Sequence, residues 1–207
     1  MAQTTLITRA QITSRVTEMG QEIGRDFAGT QMIALCVLKG GVFFCTDLMR
    51  AIDFDVALDF IQVSSYGNSK ETSGVVTILR EPQLDMHGKA VLIVEDIIDS
   101  GLSMREVHRY IEGRGATMVR TATFLDKPAA RKVDFKADYV GFSIDPQFVI
   151  GYGLDFAEKY RNIPDVQVMR FADATAYEIL WAQTVVVEIG AFDEGAPTKE
   201  TKEASDA

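Results

Sequence analysis

The stretch VLIVEDIIDSG, residues 91–101, decides the fold. Residues 91–94 are an apolar strand that ends in two adjacent carboxylates, Glu95 and Asp96. Asp99, Ser100, Gly101, Leu102 and Ser103 then lead into a helix over about 103–112, which Gly113 and Gly115 close. Strand, short polar loop and helix form the building unit of α/β sheets. In open sheets of this class ligands bind outside the carboxyl ends of the strands, so the chemistry of this segment belongs to residues 95–103.

The same unit recurs on either side. Towards the N-terminus, QMIALCVL (31–38) is a continuous apolar run of the kind that fills a strand covered on both faces. A Lys39-Gly40-Gly41 turn follows, and GVFFCTDLMRAI (41–52) reads as a helix. Ahead of it lies an amphipathic helix in which Thr8 and Gln11 form a capping box. Its Ile12, Val16, Met19, Ile23 and Phe27 recur at helical spacing, and Gly29 ends it. Residues 54–63 alternate as a strand exposed on one side, and VVTIL (75–79), 117–125 and 138–144 supply further strands. Between 64 and 74, SSYGNSKETSG holds no aliphatic side chain and reads as a long hairpin loop acting as a lid.

These elements predict a doubly wound α/β fold, a mainly parallel sheet flanked by helices with right-handed crossovers. No internal repeat is present, and the expected organisation is one domain over 1–192. Its core spans about 6–170, followed by an extension over 171–192 (DATAYEILWAQ, then VVVEI). Residues 193–207 form an acidic tail of net charge −3 that reads as disordered.

Composition sets limits. The 207 residues carry 21 Lys and Arg against 30 Asp and Glu, a net charge of −9 that argues against holding nucleic acid or anionic lipid by bulk electrostatics. No apolar run reaches the roughly 20 residues of a membrane span, and the N-terminus lacks the apolar centre of a signal peptide, so a cytoplasmic protein is expected. Cys36 and Cys45 lie in apolar stretches without metal-ligand spacing and read as reduced core residues. His87 and His108 show no carboxylate or ligand pattern nearby and read as surface or helix residues.

The residues of 95–103 suggest a chemistry. Small residues and hydroxyls at the positive end of a helix form an anion cradle suited to a phosphate monoester. Carboxylates beside a phosphate would repel it, so Glu95 and Asp96 must serve something else, either the hydrogen-bond-donating hydroxyls of a ribose or an oxygen-seeking Mg²⁺ ion. Taken alone, a strand ending in acids also suits receiver domains, phosphatases or a merely solvated strand end.

The run VLIVEDIIDSG closely resembles the phosphoribosyl-diphosphate (PRPP) binding motif of the type I phosphoribosyltransferases. Its wording is nearest the hypoxanthine(-guanine) members. LKGG (38–41), SSYG (64–67), LDKP (125–128) and FVIGYGLDFAEKYRNIP (148–164) resemble the family's other motifs, in order, over residues 6–169. The resemblance implies the type I fold with a small hood and a flexible loop. It also implies a Mg²⁺-dependent transfer of phosphoribosyl from PRPP to a 6-oxopurine, and a homodimer or homotetramer.

Residue by residue, it places Glu95 and Asp96 on the ribose hydroxyls and in the metal shell, and residues 99–103 on the 5′-phosphate. Asp99 would be the acid/base near purine N7. Lys39, Gly40 and Arg161 would meet the diphosphate, with the Leu38–Lys39 peptide cis. Lys127 would donate to the purine 6-oxo group, Phe148 would stack on the base and Val149 would read its edge. Asp155 would be a further metal ligand, and Ser65 and Tyr66 would belong to the lid. Residues 144–149, IDPQFV, depart from the IPDEFV wording of bacterial relatives, next to the base. A xanthine-preferring transferase is the nearer alternative. The more distant one, an RNA-binding regulator on the same fold, would need a basic face that the charge of −9 disfavours.

Overall fold

A computed structural model of the chain describes residues 2–65 and 76–170. Tyr66 and most of the expected lid, the 171–192 extension and the 193–207 tail lie outside the described residues, as does the side chain of Ser65. Residues 2–170 form one compact unit. In chain order its elements are β1 (Ala2–Ile7), α1 (Arg9–Asp26), β2 (Met32–Leu38), α2 (Val42–Ala51), β3 (Ala57–Ser65), β4 (Val76–Arg80) and β5 (Ala90–Ile98). Then come α3 (Leu102–Gly113), β6 (Met118–Asp126), a 3₁₀ turn (Pro128–Ala130), β7 (Tyr139–Ser143), β8 (Val149–Ile150) and β9 (Val166–Arg170).

Six strands form the main sheet in the order β4-β3-β2-β5-β6-β7. Every pair from β3 through β7 is parallel, and β4 folds back antiparallel on β3. A separate antiparallel sheet, β1-β9-β8, makes the small hood. The fold is the doubly wound α/β architecture expected.

Burial on both faces explains the apolar runs. Along β2, Ile33, Leu35 and Val37 join the core formed with Met104, Val107 and Ile111 of α3. Met32 and Cys36 turn to the opposite core, with Val16, Met19 and Ile23 of α1 and Phe44, Cys45 and Leu48 of α2. Neither face can be polar, so the period-2 signal disappears into a continuous run. Each fully buried Leu, Ile or Phe contributes about 1.5–3 kcal/mol, and both cysteines are buried among them as core residues. At the start of α1 the Thr8–Gln11 capping box forms in full. At the outer edge of β7, the Arg15 guanidinium donates to the carbonyls of Val140 (2.9 Å) and Gly141 (3.2 Å), occupying acceptors that an edge strand would leave open.

The structure corrects the sequence reading in three places. First, β3 begins at Ala57 rather than 54, because its ladder with β2 starts only at Ile33↔Ala57. Its buried side carries a carboxylate, Asp59, which accepts 2.7 Å bonds from the N–H groups of Phe60, Gln83 and Leu84, while Leu58 faces outward. Second, β5 does not end at residue 94 but runs through Glu95 and Asp96 to Ile98, because β6 stays alongside it. Third, His108 does have a carboxylate neighbour, its Nδ1 lying 3.6 Å from Glu112 Oε1 one helical turn on, and its ring packs edge-on to Phe135.

Candidate active site

The chain leaves β2 towards β3 on one side and leaves β5 towards β6 and β7 on the other, so the topological switch lies between β2 and β5. Their ladder stops at Cys36↔Val94, whereas β5 and β6 stay paired as far as Ile98↔Asp126. Glu95 and Asp96 therefore stand past the last β2 pair, at the position where sheets of this class form their ligand crevice. Both are half-buried. Glu95 Oε1 accepts from the Asp96 N–H at 3.0 Å, and Asp96 Oδ1 from the Ile97 N–H at 2.8 Å. Loss of solvent, followed by the neighbouring Asp96 charge, pushes the Glu95 pKa well above the usual carboxylate value.

Across the cleft, the turn after β2 carries a cis Leu38–Lys39 peptide, as the resemblance implied. Gly40 lies directly against the Asp96 carboxylate, with no room for a Cβ. Gly153, at φ +97°, packs in turn against the Gly40 carbonyl oxygen and the ring of Phe43. Two glycines thus let three backbone segments meet at one point.

Beyond β5, Gly101 adopts φ +80° and caps α3 without a side-chain acceptor. Ser100 Oγ takes the Leu102 N–H at 3.3 Å. The remaining first-turn N–H groups of α3, with the Ser103 hydroxyl, suit an anion. Arg131 supports this loop from behind: its guanidinium donates to the carbonyls of Ile98 (3.2 Å) and Asp99 (2.7 Å) and pairs with Asp126. Lys132 N–H donates to the Ser100 carbonyl at 2.9 Å.

Lys127 follows β6 and is buried. Its Nζ lies 2.9 Å from Asp99 Oδ1, and its N–H donates to the Ile98 carbonyl at 3.0 Å. From the hood, half-buried Phe148 packs edge-on to Phe156 with ring centroids 5.6 Å apart. Val149 buries its side chain and pairs with Val168 through the β8–β9 ladder. Arg161 is held by its bond to the Gly153 carbonyl (2.8 Å) and by Asp155 Oδ1 (2.9 Å). Arg161 also meets Glu158 Oε2 at 3.3 Å, and Lys39 Nζ meets Glu158 Oε1 at 3.1 Å.

Contacts thus join Gly40 to Asp96, Lys39 to Arg161 through Glu158, and Asp99 to Lys127. Sequence reasoning missed Arg131, Asp126, Gly153 and Glu158. Two of these, Gly153 and Glu158, stand inside the 148–164 motif, and the spacing Asp155, Glu158, Arg161 was the available signal. Arg131 had none, being one of several charges in a polar stretch.

Among the described residues no group of three or more His, Cys, Asp and Glu could hold a metal by itself. The donors present still fit a divalent ion that arrives with a phosphate. Such an ion takes one or two carboxylates and completes its shell with phosphate oxygens and water, and the Glu95–Asp96 pair supplies those carboxylates. Asp155 Oδ2 already accepts the Glu158 N–H at 2.9 Å and Oδ1 the Arg161 pair, which leaves lone pairs on both oxygens. No described helix is long and apolar enough to cross a membrane.

Residues 4–157 match the family described as "Phosphoribosyl transferase domain". The hypoxanthine-guanine phosphoribosyltransferase of Bacillus subtilis is 44% identical over 165 residues, 80% of this chain and 92% of that protein. The protein of the same name from Mycobacterium bovis is 44% identical over 164 residues, 76% of this chain and 81% of its own length. Among solved structures, a hypoxanthine-guanine phosphoribosyltransferase of Bacillus anthracis superposes with a TM-score of 0.78 at 44% identity, covering 81% of this chain and 98% of that one.

Proposed function

Because the chain belongs to the phosphoribosyl transferase family, we propose that it transfers the 5-phosphoribosyl group of PRPP to N9 of hypoxanthine and guanine, giving IMP or GMP and diphosphate. This is a purine-salvage reaction. The observation that carries the base assignment is the Lys127–Asp99 pair, 2.9 Å apart at the carboxyl edge of β5 and β6. A 6-oxopurine presents O6 and N7 on one edge. An ammonium that can only donate, beside a carboxylate that accepts, complements O6 and a protonated N7. Adenine would turn its amino donor towards the ammonium and leave both unpaired, a loss that a polar site enforces strongly.

In this reading the first turn of α3, with Ser100, Gly101, Leu102 and Ser103, holds the 5′-phosphate. Glu95 and Asp96 accept from the ribose hydroxyls. Lys39, the Gly40 backbone and Arg161 surround the diphosphate. Phe148 covers the face of the base and the Val149 backbone reads its edge. As the N9–C1′ bond forms and the bond from C1′ to the diphosphate oxygen breaks, positive charge develops on the ribose and negative charge on the leaving group. Lys39 and Arg161 act as fixed positive charges for the second of these. Asp99 accepts the N7 proton that the base must lose. Mg²⁺ bound with the PRPP, near Glu95, Asp96 and Asp155, would supply further neutralisation of the diphosphate.

A PRPP-dependent assay with hypoxanthine, guanine, xanthine, adenine and uracil, with and without Mg²⁺, tests the reading. Product is expected with the first two bases and the metal. Efficient AMP synthesis would refute the role of Lys127, and preference for xanthine would reassign the substrate.

A further inference from the structure

Lys39 and Arg161 approach the cleft from opposite segments, yet one carboxylate engages both. Glu158 places Oε1 3.1 Å from Lys39 Nζ and Oε2 3.3 Å from Arg161. The turn that presents it is tightly built: Phe156 and Lys159 exchange 3.1 Å backbone bonds, and Ala157, Glu158 and Tyr160 all have positive φ (52°, 60° and 75°). Non-glycine residues in that region are conformationally costly and persist where the surrounding structure over-determines them.

We propose that Glu158 is an internal stand-in for the diphosphate, holding Lys39 and Arg161 in place and yielding them when the diphosphate arrives. The proposal rests on the assignment of Lys39 and Arg161 to the diphosphate, and Glu158 acts through them as a positioning residue.

Three features make the exchange feasible. Glu158 is half-exposed and so is Lys39, so their pair is weak and easily displaced. A diphosphate brings more charge and more acceptor oxygens than one carboxylate, and guanidinium and ammonium groups bind it correspondingly better. Arg161 keeps its bonds to the Gly153 carbonyl (2.8 Å) and Asp155 (2.9 Å) once Glu158 leaves, so it stays in position. In effect Glu158 competes with PRPP for entry and with diphosphate for retention, tuning release of the leaving group.

The test is the full-length Glu158→Gln protein, which keeps the shape and removes the charge. Isothermal titration with diphosphate and Mg²⁺ should show a Kd about 3- to 30-fold lower than wild type, with a matching fall in the KM for PRPP. Product inhibition by diphosphate should strengthen, and IMP affinity should stay unchanged. A purely structural glutamate would instead weaken diphosphate binding when replaced, so unchanged or weaker binding overturns the proposal. Glu158→Ala should show the same gain. Arg161→Gln is the companion measurement. Wild-type diphosphate affinity in that variant would overturn the diphosphate assignment itself, whatever Glu158→Gln does.

Discussion

The Lys127 ammonium rests 2.9 Å from the Asp99 carboxylate, with the lysine side chain 11% exposed and the aspartate 54%. A buried cation needs an anionic partner, and here the partner is the group assigned to take the proton from the base. The two charges therefore satisfy each other. In the proposed reading a purine parts the two groups, and a base that offers an acceptor to one and a proton to the other replaces what they lose.

Lys127→Met should raise the KM for hypoxanthine about 10- to 100-fold, the value of one charge-assisted hydrogen bond. The KM for PRPP should stay within about threefold. Steady-state kinetics with each substrate varied in turn would check this. Equal rises in both would mean that Lys127 acts on the 99–103 loop instead of on the base.

Gly40→Ala should cut kcat/KM at least about 100-fold, since displacements of an ångström at a reacting centre have effects of that order. The added Cβ would fall on the Asp96 carboxylate and displace it from its place in the site. The core lies elsewhere, so thermal unfolding should change little. Retained activity would show that the 38–41 turn can shift without consequence.

Arg131→Met should cost about 1–3 kcal/mol of stability, because it leaves the largely buried Asp126 carboxylate unpaired and frees the carbonyls of Ile98 and Asp99. Urea denaturation measures the loss. Adding Asp126→Asn should restore part of it, while the KM for PRPP stays raised in both variants because the loop at Gly101 has lost its support.

Tyr139 donates its hydroxyl to Asp26 at 2.7 Å, joining β7 to the end of α1. Burial, followed by that bond and the Asp26 charge, raises its pKa above the ordinary tyrosine value of about 10. The native state therefore keeps a proton that the unfolded chain releases, and stability must fall as pH rises above about 10. Urea midpoints between about pH 8 and 11 should decline more steeply in wild type than in Tyr139→Phe. Parallel curves would remove Tyr139 from the alkaline transition.

The fold was legible where burial leaves a pattern in the chain. The two-faced strands β2 and β5 read as continuous apolar runs, and α1 declared itself through its cap and its stripe. The end of β5 did not, because it depends on which neighbouring strand stays alongside, and that is settled by residues as far away as Asp126. The site followed the same division. Glu95, Asp96 and Asp99 lie within one short run whose order carries meaning. The Lys39–Glu158 contact spans 119 positions, and Arg131 reaches the Asp99 carbonyl across 32, with no local periodicity to announce either. Which face of β3 is buried was not legible either: Asp59 on the core side is satisfied by N–H groups 24 and 25 residues on, which a reading by polarity cannot anticipate.

The unequal ladders on the two sides of β5 give the cleft its dimensions. Four residues, 95–98, extend past the last β2 pair, which makes a step of about 13 Å at the usual rise per strand residue. Main-chain hydrogen bonds draw that step, so replacing the side chains that project from it alters what lies against it without moving the ends of the ladders. A lineage could retune its choice of base many times over while inheriting the same vessel.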